Sequence, residues 1–446
     1  MDSTTQKLYK RLQWRTLIIL MVGYVCYYFL RKNFSAAIPA MEATLGLSKL
    51  QLGAFLTLNG IVYGLSRMVN GLLADRYSKK LIMSAGLILS CIINLLICFS
   101  PKLTSTLGLV FLIGSLWVVN GYVHGMGYPP CASIMAHWFR PSELATKQSI
   151  WNASHSIGAG IVIALCGWML SRWGYSAWNL CFIVPAVISF FGALLVYFGL
   201  KDDPSEYGLP PVEPNAASSP KSQDNLSRKE HHRFISKMVF RNPIIWGISI
   251  SNFCVYVIRF TILEWGTSFL TQCKGMEIAL AASIVAASEL IGGVMGTIAS
   301  GWITDRFLQS RTLRTSALFT IGATLCFAAF CLIPSQVHWM WSALLIVSSA
   351  FFIYGPQALL GVSCSQYATK RAAASANGLC GIFGYAATAI SGIGFGYLAG
   401  RPEFGWDAVF LVSVLFGLVG SVVLLTCWRL PSDGYFKAEK VLMEIK

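Results

Sequence analysis

The sequence predicts an all-α membrane protein, twelve transmembrane helices arranged as two pseudo-symmetric six-helix bundles. Three observations carry that expectation. First, 55% of the 446 residues are hydrophobic and only 12% are charged, with a mean hydropathy of +0.61. So few charges cannot solvate the surface of that much apolar mass, since a soluble domain carries about twice that share. Soluble enzymes and disordered regulators are excluded on this ground. Second, the apolar residues gather in runs of about 20, the length a helix needs to cross hydrocarbon. They are continuous rather than alternating, which excludes the strands of about ten residues that build membrane barrels. Third, motifs of one half recur in the other.

In chain order, residues 1–15 are polar and basic, with Lys7, Lys10, Arg11 and Arg15. The apolar run after them is too long for a signal peptide's core and lacks a small-residue cleavage pattern, so it reads as a retained first span. Apolar runs fall at 16–38, 52–73, 81–99, 106–128, 147–170 and 178–199, then at 245–270, 279–302, 316–333, 339–362, 375–399 and 407–429. Between the sets, 200–244 is rich in Pro, Ser and charge and reads as a flexible linker. The expected domains are therefore 1–200, a cytoplasmic linker at 201–244, and 245–446. The 13 cysteines lie mostly inside apolar runs, without CxxC or Cys/His metal spacing, and read as small packing residues.

The cations set the orientation. With the N-terminus inside, 25 of the 34 Lys and Arg fall in inner segments and five in outer loops (Lys49, Lys102, Arg172, Lys274 and Arg401). That bias places both termini and the linker in the cytoplasm. Four cations remain within or at the ends of apolar runs: Arg31, Lys32, Arg67 and Arg259.

The internal repeat gives two of them meaning. CYYFLR (26–31) matches CVYVIR (254–259) at an offset of 228, and GLLADR (71–76) matches GWITDR (301–306) at 230. Parallel halves around a central site are a transporter architecture. Arg31 and Arg259 occupy equivalent repeat positions. An arginine at mid-bilayer costs about 2.5–3.5 kcal/mol on insertion scales, so it should face a cavity. Two guanidinium forks suit a tetrahedral oxyanion, which they contact bidentately without losing charge. The plainer readings are snorkelling for Arg31, and for Arg259 an ion pair with Glu264. Between Trp14 and Leu200 the only carboxylates are Glu42, Asp75 and Glu143, all expected in loops. The C-terminal spans offer Glu264 and Glu289, the latter kept among the candidate binding residues. More buried cations than acids favours an anionic substrate over a proton-driven neutral one.

GLLADRYSKK (71–80) and GWITDRFLQSR (301–311) resemble the loop signature of the major facilitator superfamily, which implies its fold and alternating access by rocking halves. Asp75, Arg76, Asp305 and Arg306 are then candidate gating residues at helix ends. YYFLRKNF (27–34), GMGYPPC (125–131), SIWNASHSIGAG (149–160), YVIRFTILEW (256–265) and YGPQALLG (354–361) resemble the organophosphate:phosphate antiporters. By that resemblance Arg31 and Arg259 correspond to the family's phosphate-binding arginines, His155 to its fifth-helix histidine, and Lys32 to the lysine after the first arginine. Arg67 stands where glycerol-phosphate carriers have lysine, and His124 where relatives often have glutamine.

His155 reads either as a hydrogen-bonded core histidine or as a phosphate donor whose charge changes near neutrality. Tyr256 lies three residues before Arg259, and Asn152 three before His155, each pair on one helix face. Tyr28, Tyr128 and Tyr385 could pack, or contact a sugar ring. Gly125, Gly158 and Gly296, among others, are expected to permit close helix packing.

The resemblance implies uptake of a hexose 6-phosphate, glucose 6-phosphate first, in exchange for inorganic phosphate. A glycerol 3-phosphate exchanger, or a membrane-bound sugar-phosphate sensor partnering a histidine kinase, are the alternatives. Expected ligands are sugar phosphate and phosphate, with membrane lipid around a functional monomer. No cofactor, metal, enzymatic activity or nucleic acid is expected. The expected location is the bacterial inner membrane.

Overall fold

A helix whose residues face lipid must satisfy every backbone polar group within itself, and the chain is helical almost throughout. The computed structural model describes residues 3–102, 106–139, 141–210, 228–309, 311–334, 337–431 and 434–445. Large apolar side chains lie open on the surface, Phe111 at 70%, Phe198 at 74% and Leu332 at 83% exposure, as lipid contact requires and water would not tolerate in such number. This is an integral, multi-pass membrane protein.

The first unit comprises Met1–Leu47 and Leu58–Gln223. Its helices are α1 (Ser3–Leu45), α2 (Lys49–Arg76), α3 (Lys79–Phe99), α4 (Thr106–His124), α5 (Tyr128–Trp138), α6 (Pro141–Trp173) and α7 (Leu180–Gly199). The second comprises Ser48–Thr57, the start of α2, together with Asp224–Lys446. Its own helices are α8 (Arg228–Ile235), α9 (Pro243–Phe260), α10 (Gly266–Gln272), α11 (Ile278–Ala287), α12 (Val294–Phe307), α13 (Thr312–Leu332), α14 (Trp339–Ala389), α15 (Phe395–Gly400), α16 (Gly405–Thr426) and α17 (Tyr435–Ile445).

Eleven helical stretches among the described residues are long and apolar enough to cross a membrane. The twelfth expected span is α2, 28 residues long, whose apolar character is broken by Asn59, Ser66, Arg67 and Asn70. Several helices outrun their apolar runs. α1 continues to Leu45 and takes Glu42, expected in a loop, into the helix. The fourth span bends at Gly125–Gly127 through three-residue turns, then continues as α5 where a loop was expected. Pro129 and Pro130 sit in the first turn of α5, where a missing N–H costs nothing. α14 joins two expected spans, divided at Thr369 by a φ of 60°. Both described ends of the 201–244 segment form structure rather than free linker. Asp202 accepts from the Lys79 and Lys80 amides at 2.8 Å each, capping α3, and α8 opens the second unit.

Small residues bring helices close. A Cβ at Gly125 would overlap Ser66, one at Gly158 would meet Tyr28 and the Val25 carbonyl, and one at Gly296 the Phe351 carbonyl. On α13, Ser316, Thr320 and Thr324 each return their hydroxyl to the carbonyl four residues back, at 2.8–2.9 Å. The second unit also carries three π-turns inside its spans, Thr261–Trp265, Ser288–Gly293 and Ile390–Gly394. Such turns recur at functional positions. Trp265 Nε1 donates to Ser391 O at 2.6 Å and so ties the first to the third.

Candidate functional site

In the first unit, α1 presents Arg31 half-buried, with its Cζ 3.9 Å from the Tyr63 ring centroid. The Arg67 Cζ lies 4.0 Å from the Tyr128 ring and 5.8 Å from the same Tyr63 ring. Two guanidiniums thus lie near one tyrosine ring, an arrangement in which ring quadrupoles offset part of the cost of burying cations. Lys32, next along α1, is buried. From Tyr128 an aromatic wall continues through Trp151 at 5.6 Å and Tyr24 at 4.5 Å to Tyr28, whose ring lies 5.6 Å from His155. Gly158, four residues past Ser154, lets α6 approach α1 closely enough for this.

His155 is buried, and its Nδ1 meets the carbonyl of Asn152, one turn back. A carbonyl only accepts, so Nδ1 carries a proton. Nε2 then faces Ser156 Oγ at 3.3 Å and is an acceptor in the neutral ring. It can donate to an anion only when the ring is doubly protonated. The Asn152 side chain is exposed. His124 is buried in a different setting, 3.0 Å from Ser90 Oγ and edge-on to Tyr27 with ring centroids 5.6 Å apart.

In the second unit, Arg259 is the penultimate residue of α9, two positions before a π-turn, and is 7% exposed. Its Nε donates to Tyr354 Oη at 3.2 Å, and the Tyr354 hydroxyl donates to Glu289 Oε1. Glu289, 2% exposed, stands in the second π-turn. Arginine, tyrosine and carboxylate from three segments form one buried chain. The Tyr256 ring lies 5.8 Å from the Arg259 Cζ and packs edge-on to Tyr385 at 6.2 Å.

The candidates therefore gather within each unit: Arg31, Arg67, Tyr28, Tyr128 and His155 in the first, Arg259, Tyr256, Tyr385 and Glu289 in the second. Tyr63 and Tyr354 are the partners that sequence reasoning did not single out. Tyr63 lies four residues before Arg67 on α2, a spacing that puts both on one face. Of the gating candidates, Asp305 and Arg306 lie exposed in the last turn of α12. The side chains of Asp75 and Arg76 lie outside the described residues.

The family model of the Major Facilitator Superfamily matches residues 20–392. The chain is 34% identical to the glycerol-3-phosphate transporter of Bacillus subtilis (strain 168), covering 96% of this chain and 95% of that protein. It is 28% identical to a probable hexose phosphate transport protein of Chlamydia pneumoniae, over 96% and 94%. It is 29% identical to the membrane sensor protein UhpC of Salmonella typhimurium, over 92% and 91%. The crystal structure of a D-xylose-proton symporter is similar in fold, with a TM-score of 0.71, 13% identity, and coverage of 93% of this chain and 97% of that one.

Proposed function

The chain belongs to the major facilitator superfamily, in its organophosphate:phosphate antiporter branch, and from that premise we propose that it exchanges a sugar phosphate for inorganic phosphate by alternating access. The observation that carries this reading is the pair of arginines at equivalent repeat positions. Each is set in a spanning helix against a tyrosine, Arg31 over the Tyr63 ring at 3.9 Å and Arg259 on the Tyr354 hydroxyl at 3.2 Å. In this proposal each half supplies one fork to the phosphate group. Lys32, Arg67 and His155 add positive charge and donors, with Asn152 beside them. Tyr28, Tyr128, Tyr256 and Tyr385 meet the organic end, and Glu289 orients Arg259 through Tyr354. Asp75, Arg76, Asp305 and Arg306 serve as gating groups at the cytoplasmic helix ends.

A hexose 6-phosphate is the proposed organic substrate, supported by the aromatic wall from Tyr128 to His155, since a sugar ring needs apolar faces as well as hydroxyl partners. The 34% identity to a glycerol-3-phosphate transporter keeps that smaller ester in the test. We place the protein in a bacterial inner membrane as a monomer with both termini cytoplasmic, on the inner bias of its cations. The test is competition for labelled phosphate exchange in proteoliposomes by glucose 6-phosphate, glycerol 3-phosphate, phosphoglycerate and phosphoenolpyruvate. Glucose 6-phosphate should compete at the lowest concentration; preference for another ester would reassign the substrate. Binding of glucose 6-phosphate with no exchange of any anion would favour a sensor, as the likeness to UhpC allows.

A further inference from the structure

Behind Arg31 a lattice of buried polar side chains grips α1. The Leu30 carbonyl accepts from Asn120 Nδ2 at 3.0 Å and, at the limit of bonding, from Asn94 Nδ2 at 3.5 Å. Asn33 Nδ2 donates to Asn94 Oδ1 at 2.8 Å. Ser90 Oγ lies 2.6 Å from Asn120 Oδ1 and 3.0 Å from His124 Nε2. Asn33, Ser90, Asn94 and Asn120 are wholly buried, and His124 nearly so.

The protons in this lattice can be assigned. Asn120 Oδ1 only accepts, so the single hydroxyl proton of Ser90 goes to it. The Ser90 oxygen is then an acceptor, and His124 Nε2 must carry a proton whatever the charge on the ring. Donation runs one way, from His124 to Ser90 to Asn120 to the Leu30 carbonyl. Leu30 and Asn33 bracket Arg31 and share a helix face about 130° round from it. The lattice therefore holds the back of the turn whose front projects the guanidinium over Tyr63.

We propose that this lattice sets the position of Arg31, and that His124 is a positioning residue acting through Ser90 and Asn120 rather than a group that touches the carried anion. Apolar packing would hold α1 against α3 and α4 at lower insertion cost. What directional bonds add is a single rotation and height for the helix. Anion recognition by a guanidinium fork needs that, because an error of about 1 Å is expensive at a recognition site. The inference rests on the reading of Arg31 as a phosphate ligand.

The test uses full-length protein in proteoliposomes exchanging phosphate for phosphate, with His124→Leu, His124→Gln, Ser90→Ala and Asn120→Leu. A glutamine amide can place an N–H where the imidazole Nε2–H stands; leucine cannot. His124→Leu should raise the half-saturating phosphate concentration about tenfold, the effect of one lost hydrogen bond in a buried chain. It should leave the maximal rate within about twofold. His124→Gln should recover most of the loss. Ser90→Ala and Asn120→Leu should behave like His124→Leu, and the factor should be the same for phosphate and for every organophosphate. Where one variant does not fold, as judged by monodispersity in detergent, the others carry the same prediction. Wild-type affinity in His124→Leu, a glutamine variant no better than leucine, or a loss confined to the organophosphates would each overturn the proposal. Absence of phosphate exchange in the wild type would instead sink the transport reading itself.

Discussion

A lysine at position 31 or 259 keeps the charge and loses the fork. Arg31→Lys and Arg259→Lys should each raise the half-saturating phosphate concentration by roughly ten- to a hundredfold in an exchange assay, because a point charge cannot replace two parallel N–H donors. Unchanged affinity in either would remove the bidentate argument. Tyr354→Phe deletes the hydroxyl that receives Arg259 and donates to Glu289. It should cost about 1–3 kcal/mol of stability, readable as a lower thermal midpoint in detergent, since a buried carboxylate oxygen loses its donor. The two arginines were legible in the sequence because a cation stands out against an apolar run. Tyr63, Tyr354 and the Asn33–Asn94–Asn120 lattice were not. A tyrosine or asparagine on a spanning helix carries no mark of which neighbour it meets, and those neighbours lie far along the chain. His155 shows the reverse, since its bond to the Asn152 carbonyl is local and follows from the helical turn.

Helix ends and helix contacts follow a different logic from side-chain chemistry. Gly296→Ala would drive a Cβ into the backbone carbonyl of Phe351, which cannot rotate away, whereas a Cβ at Gly378 meets nothing within 4 Å. Thermal unfolding in detergent should show Gly296→Ala destabilised by about 1–3 kcal/mol and Gly378→Ala unaffected. At the C-terminus, α17 is tied back by Lys237 Nζ to Glu444 Oε2 at 2.7 Å, and the hydrogen bond and charge of Lys237 hold the Glu444 carboxyl below its ordinary value. A carboxyl whose folded pKa is depressed stabilises above its unfolded pKa and loses that contribution as pH falls through the folded one. Amide exchange across 437–445 should therefore quicken at pH below the ordinary glutamate range relative to neutral pH, once corrected for intrinsic rates, and Glu444→Gln should remove the difference. The existence of the spans was legible from apolar run length. Their ends were not, because α1 runs on through Glu42 and α5 begins across Pro129 and Pro130, residues that read as loop. The three π-turns also leave no pattern in apolar spacing.

For the whole molecule, an exchanger needs a counter-ion on the far side. Proteoliposomes loaded with phosphate should take up labelled glucose 6-phosphate and unloaded ones should not; equal uptake would defeat obligatory exchange. In the proposed reading the arginines repel one another when no anion is bound, so only the loaded carrier passes between its facings. Two compact units agree with the repeated CYYFLR and GLLADR motifs, of which each unit holds one copy. That the first nine residues of α2 group with the second unit could not be read from the repeat, which follows chain order alone. The buried lattice around Leu30 also bears on how the protein is made. α1 carries Arg31 and Lys32 and is the least apolar of the eleven recognised spans. The asparagines that bond its Leu30 carbonyl are synthesised 64 and 90 residues later. During translation α1 therefore leaves the ribosome before these partners exist, and its Leu30 carbonyl acquires them only once α3 and α4 have been made.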